Sequence, residues 1–256
     1  MRLLVINPNT SQSVTDKIAA VAQASAAPGT QLEFVTAPYG VPYIATRTEA
    51  VIGGRVVLEI IAEREAEFDA VVIAAFGDPA LGAAREISSI PVIGLAEASM
   101  LLACPLGRKF SIVSFSNRLE PWYRECVEWN GLAGRLASIR MLDAKVSDIG
   151  QVQSENADLL VKLANQAVEE DGAEVVILAG APLAGLASQV RERVPVPLVE
   201  SVAASIKLAE SLAFLRPRKA ICGSYSQPAP KTSTGVPLPL RRVMEAGRNG
   251  PSLATE

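Results

Sequence analysis

Short apolar runs alternate with amphipathic stretches along the whole chain. Leu3–Ile6, Gln31–Thr36, Ala70–Ala75, Val92–Leu95, Phe110–Phe115, Arg135–Leu142, Val175–Leu178 and Val196–Val199 read as strands. Several of them are apolar on both faces, as in a buried parallel sheet. Helical spacing fills the intervals Ser11–Ala24, Thr48–Ala66, Pro79–Ser88, Glu97–Leu102, Pro121–Trp129, Ser154–Glu170, Leu183–Glu192 and Ser201–Ala213. Such alternation predicts an α/β fold, with parallel strands and helices on both faces.

The pattern also repeats. Val71–Gly82, a helix and Ile90–Glu97 are echoed about a hundred residues later by Val175–Leu186, a helix and Val194–Glu200, a domain-scale repeat. Each block runs strand, small-residue turn, proline at a helix start, helix, proline-led strand, with Glu97 and Glu200 as the closing glutamates. Duplication predicts two lobes with parallel sheets related by a pseudo-twofold axis. The paired turns then face each other across an interlobe cleft, at the carboxyl ends of the strands where open α/β sheets bind ligands.

Residues 1–104 are expected to form the first lobe and 105–215 the second, the last helix of the first crossing over together with 205–216. From 216 to 256 the chain reads as a proline-rich extended arm, interrupted by Pro217, Pro228, Pro230, Pro237 and Pro239, with a loose end past Gly247.

Composition narrows the chemistry. A chain of 256 residues, 49% apolar and 20% charged, has material for two cores. Net charge is −3 without a basic tract, which argues against nucleic acid as a partner. The opening run turns polar at Asn7 and reads as a strand rather than a signal peptide, no run suits a bilayer, and a cytoplasmic protein is expected. Cys104, Cys126 and Cys222 lack paired spacing and read as reduced thiols, Cys104 in a core and the other two away from the paired turns. There is no histidine, which removes Ser-His-Asp and Cys-His catalysis and mixed His/Cys metal sites. Acid–base work falls to carboxylates, tyrosine, lysine, cysteine or water.

The candidate site residues lie in the loops. Asn7 ends the first strand and is expected to offer its amide toward the cleft, with Thr10 or Ser11 capping the next helix. Phe76-Gly77-Asp78 lets backbone approach a ligand, Asp78 being either the cap of the helix at Pro79 or an acid. Ala179-Gly180-Ala181-Pro182 is a barer turn. Ser116, Asn117 and Arg118 follow the strand that opens the second lobe, and Tyr43, Thr46, Arg47, Thr48 and Glu49 occupy the long crossover after the second strand.

Val5–Ser11, Phe76–Pro79, Gly94–Ala98 and Leu106–Val113, taken together, resemble the hydantoin and allantoin racemases of the aspartate/glutamate racemase superfamily, from the amino terminus to about Leu212. The resemblance implies two Rossmann-like, flavodoxin-like lobes, an active site in the cleft between them, no cofactor and a homo-oligomer. In those racemases one cysteine precedes the Phe-Gly-Asp-Pro turn and another sits on the matching turn, one removing a proton alpha to a carbonyl and the other returning one to the opposite face. Ala75 and Gly180 stand at those positions here, and neither side chain carries a proton.

The expected activity is therefore a cofactor-independent, metal-free, cysteine-independent step on a small cyclic ureide of hydantoin or thiohydantoin type, such as water attack at ring C2 with loss of sulfide. Asp78, Glu200 and Tyr43 are the catalytic candidates, with Glu49 and Glu97 behind them. Asn7, Arg47, Thr48, Phe76, Gly77, Ser116, Asn117, Arg118, Gly180 and Ala181 are expected to bind substrate. A racemase using other acids and bases, and a ureide-binding protein without turnover, are the alternatives.

Overall fold

The computed structural model describes residues 1–142 and 149–246. The first lobe contains β1 (Arg2–Asn7), α1 (Gln12–Ser25), β2 (Gln31–Thr36), α2 (Arg47–Arg64), β3 (Ala70–Ile73), α3 (Leu81–Ile87), β4 (Val92–Gly94) and α4 (Leu95–Ala103). The second contains β5 (Phe110–Ser114), α5 (Glu120–Trp129), β6 (Leu136–Met141), α6 (Val152–Glu169), β7 (Val175–Leu178), α7 (Leu186–Val190), β8 (Leu198–Glu200) and α8 (Ser201–Leu215). A further helix, α9 (Leu238–Ala246), follows the arm.

Two four-stranded parallel sheets repeat one strand order, β2-β1-β3-β4 and β6-β5-β7-β8. Leu3, Leu4, Val5 and Ile6 of β1 and Ala70–Ile73 of β3 are all buried, which is why these runs show no alternation. On α1, Val14, Ile18 and Ala22 recur at four-residue spacing and face the core.

One apolar core runs through both lobes. It joins Val5, Val72 and Ile93 of the first to Ile112, Ile177 and Val199 of the second. The helices that follow the last strand of each sheet make the join: α4 packs on β7 and β8, whereas α8 packs on α1, β3, β4 and α4. Glu210 of α8 is buried and accepts hydrogen bonds from Ala27 N and Thr30 Oγ1, both 2.7 Å, so a charged side chain is tolerated there because first-lobe donors and Lys207 satisfy it.

Several expected boundaries move for identifiable reasons. β8 begins only after Pro197, which lacks the N–H a ladder needs. The single helix expected over Leu183–Glu192 is broken by Gly185, at φ +89°, into a 3-10 turn Ala181–Leu183, α7 and a second 3-10 turn Arg191–Arg193. The repeat register also changes. Gly94 lies opposite Ile73, as Glu200 lies opposite Leu178, so Glu200 corresponds to Gly94 and not to Glu97.

The arm is not extended throughout, contrary to the proline-based expectation. Pro237 and Pro239 flank the start of α9, where a missing N–H costs no helical bond, and Leu240 is buried on a helix that packs against α2. The expected loose end past Gly247 lies outside the described residues. Among the described residues no helix is long and apolar enough to cross a membrane.

Candidate active site

The carboxyl ends of the two sheets meet through aromatic contacts. Tyr43, on the loop after β2, packs against Phe115 at the end of β5, ring centroids 5.6 Å apart. Phe76, after β3, packs on Tyr123 of α5 at 4.7 Å. Trp122 covers Gly77, at φ +109°, so closely that an added Cβ would lie 2.6 Å from the indole. At the rim, Arg47 of α2 forms an ion pair with Glu125 of α5.

Asp78 is the most constrained polar group here. Its backbone is left-handed at φ +49°, as is that of Ala80 at φ +61° on the other side of Pro79. That geometry delays α3 to Leu81, so Asp78 does not cap the helix expected at Pro79. It caps α4 instead: Ala96 N and Glu97 N donate to its two oxygens at 2.8 and 2.9 Å. These bonds place helical structure from Leu95, earlier than the expected Glu97. Removal from water pushes the Asp78 carboxyl up to about 7, against the lowering effect of the two amides and the Arg85 cation.

Glu200 performs the same task in the second lobe. Ala203 N donates to its carboxylate at 2.6 Å, and the amides of Gly185 and Val202 add further bonds. Burial raises its pKa as well. The two catalytic carboxylate candidates are thus helix caps that reach equivalent helices from different positions, a turn residue in one lobe and a strand end in the other.

Tyr43 is different. Its hydroxyl is enclosed and has no hydrogen-bond partner among the described residues, and burial together with the Glu49 charge pushes the phenol well above its usual range. It remains a neutral donor near neutral pH. Glu49, by contrast, closes a capping box with Thr46 and also accepts from Ala45 N at 2.7 Å. Glu97 is held in a bidentate pair by Arg85.

The remaining expected binding residues separate. Asn7 does not offer its amide to the cleft: its Nδ2 donates to Asn9 Oδ1, Ser11 O and Thr15 Oγ1, and its Oδ1 accepts from Asn9 N. A buried amide needs partners, and the β1–α1 turn supplies them. Ser11 occupies the cap position of α1, but its hydroxyl pairs with Ser13 rather than the backbone. The Phe76 ring is buried against Tyr123 and not presented to a ligand. Thr48, Asn117 and Arg118 are exposed, and Ser116 is half-buried before the 3-10 turn Asn117–Leu119, without a capping bond from its side chain.

Ala75 and Gly180 stand on the paired turns, both buried. Ala75 accepts from Asp78 N through its carbonyl at 3.1 Å. Gly180 is at φ +114°, and a Cβ there would lie 2.9 Å from Phe115 Cε1. Its turn is braced by Ser114, whose hydroxyl donates to Ala179 O at 2.8 Å and shares a hydrogen bond with Tyr123. Ala181 opens the 3-10 turn beyond it.

One thiol is closer than its sequence position suggested. Cys126 Sγ donates to Gly77 O at 3.5 Å, so it lies beside a paired turn and not away from it. Burial and the Asp78 charge push this thiol well up, which keeps it protonated. Trp122, Tyr123 and Cys126 were legible only as one face of an α5 helix, at spacings of three and four, whose partner in the other lobe is a tertiary matter.

The family model for Asp/Glu/Hydantoin racemase matches residues 3–209. The chain belongs to this family. It is 36% identical over 233 residues to a hydantoin racemase of Paenarthrobacter aurescens, covering 90% of this chain and 99% of that one. Among solved structures, an allantoin racemase from Klebsiella pneumoniae superposes with a TM-score of 0.87 at 36% identity, covering 92% of this chain and 96% of that one. An allantoin racemase from Pseudomonas fluorescens gives the same TM-score at 32% identity, covering 92% and 100%. The two-lobed fold is therefore that of the family, and the protein is an enzyme of the hydantoin racemase family.

Proposed function

We propose that this chain acts on a five-membered cyclic ureide, a hydantoin or thiohydantoin, without a cofactor and without a two-thiol relay. On a thiohydantoin, water adds to ring C2, the bond from C2 to sulfur breaks, and the products are the corresponding hydantoin and hydrogen sulfide. The relatives' names support the substrate class, since hydantoin and allantoin share the five-membered ureide ring.

The observation that carries the reaction type is Gly180. A two-thiol relay needs a proton carrier at each of the paired turns, yet position 180 has a left-handed glycine backbone with Phe115 where a side chain would begin, and position 75 is alanine. The first lobe still offers a donor and an acceptor. Tyr43 Oη, enclosed and without a partner among the described residues, suits donation to the oxygen or sulfur on C2 as negative charge develops there. Asp78, with one amide on each carboxylate oxygen and a pKa near 7, retains lone pairs to take a proton from water.

A second reading is racemisation by these same groups, favoured by the 36% identity to a hydantoin racemase over nearly its whole length. Incubation with a panel of hydantoins and thiohydantoins in deuterated water separates the two. Sulfide release without deuterium at the alpha carbon is expected; loss of optical rotation with deuterium uptake supports the racemase instead. Thermal stabilisation by the panel with neither signal would mean binding without turnover.

A further inference from the structure

The family match ends at residue 209, and the arm beyond it returns to the first lobe. Lys219 Nζ donates to the carbonyls of Arg85 and Glu86 at the end of α3, the latter at 3.3 Å. Tyr225 lays its ring under the Arg85 guanidinium, 5.4 Å from centroid to Cζ. Each nitrogen of Arg85 also makes a hydrogen bond: Nε donates to Val92 O at 3.0 Å, and the two terminal nitrogens hold Glu97. Glu97 N, in turn, is one of the two amides that fix Asp78.

A continuous path therefore runs from the arm through Arg85 and Glu97 to Asp78. We infer that Lys219 and Tyr225 are positioning residues: they clamp Arg85 so that the first turn of α4 presents its amides to Asp78 and fixes the Phe76-Gly77-Asp78 turn. The physical reason is that a guanidinium with a restricted side chain keeps a fork geometry that a freely rotating one loses. Arg85 lies mostly buried, with 19% of its side chain exposed, so the arm covers the face by which it would otherwise reach water. This inference rests on the turn's geometry and holds whatever reaction the cleft performs.

The test uses the full-length chain with Lys219→Met and Tyr225→Leu combined, and with Tyr225→Leu alone, a change at an exposed ring that the lobes' cores do not touch. Hydrogen exchange at the Ala96 and Glu97 amides is expected to quicken at least tenfold in the double variant, with Ile112 and Ile177 of the second lobe unchanged. The Asp78 carboxyl, followed by carbon NMR, is expected to titrate at higher pH as the Arg85 cation loosens, with Glu97, Tyr123 and Cys126 the other ionisable groups that influence or sense it. Lys219→Arg with Tyr225→Phe, which keeps the cation and the ring, should restore both readouts. Exchange and titration unchanged in the double variant would overturn the inference. If the double variant does not fold, unchanged readouts in Tyr225→Leu alone would overturn it equally, and a partial shift there would support it.

Discussion

The carboxylate of Asp78 fills the space that a side chain at position 94 would need. Gly94 is glycine for that reason and not for its backbone, which is ordinary extended chain. Any Cβ at 94 collides with the carboxyl group and drives it off the amides of Ala96 and Glu97. Gly94→Ala should therefore destabilise the protein by about 2–4 kcal/mol, the worth of hydrogen bonds to a charged or buried acceptor. In an Asp78→Ala background the same change should cost at least about 1 kcal/mol less. Urea unfolding of the four proteins of this cycle measures the coupling, and additive costs would deny the relationship.

Titration of Asp78 gives a second expectation. The group's pKa is raised from 3.8 unfolded to about 7 folded, so its contribution to stability is fully present below pH 3.8 and is lost as pH rises through about 7. Between those values the folded protein binds a proton that the unfolded chain releases. Asp78→Asn should flatten this fall, visible as a smaller drop in Tm from pH 4 to pH 7.5. If Asp78 takes a proton from water, kcat/KM of the native protein rises through a midpoint near pH 7.

Tyr43→Phe should separate activity from stability. Removing an enclosed hydroxyl that lacks a partner should leave the protein as stable or raise stability by about 1 kcal/mol. The same change should lower kcat by about 10²–10³-fold if the hydroxyl donates to a developing anion. Thermal unfolding and turnover on one preparation settle both. A loss of stability would mean that the hydroxyl has a partner.

Restoring thiols should not restore a racemase. Ala75 already carries a Cβ in its buried position, so Ala75→Cys should fold with little change in Tm. Gly180→Cys must place a side chain at φ +114° against the Phe115 ring, at a cost of about 1–3 kcal/mol from the backbone alone. The double variant should show no deuterium exchange at the substrate alpha carbon. Proton NMR of a hydantoin in deuterated water reads this directly, and rapid exchange would mean that the turn adapts.

What the sequence determined by itself was the alternation of elements and the duplication, because buried parallel strands and amphipathic helices impose separate periods that local composition records. Ala75 and Gly180 at the paired turns were legible for the same reason: their positions follow from the motif, and their lack of chemistry follows from the side chains. The roles of the polar groups were not legible. Whether Asp78 faces a ligand or a helix end depends on where α4 begins, at Leu95 beyond a strand, as its bond to Ala96, eighteen residues on, shows. Glu97 and Glu200 look alike in the repeat, yet strand register places Glu200 opposite Leu178 and its true counterpart at Gly94. Proline counting could not find α9, because at a helix start proline loses no hydrogen bond. The approach of Cys126 to Gly77, and the isolation of the Tyr43 hydroxyl beside Phe115, exist only because the lobes close carboxyl end to carboxyl end. Local pattern fixes which residues can be helix or strand; only packing decides which donor is left without an acceptor.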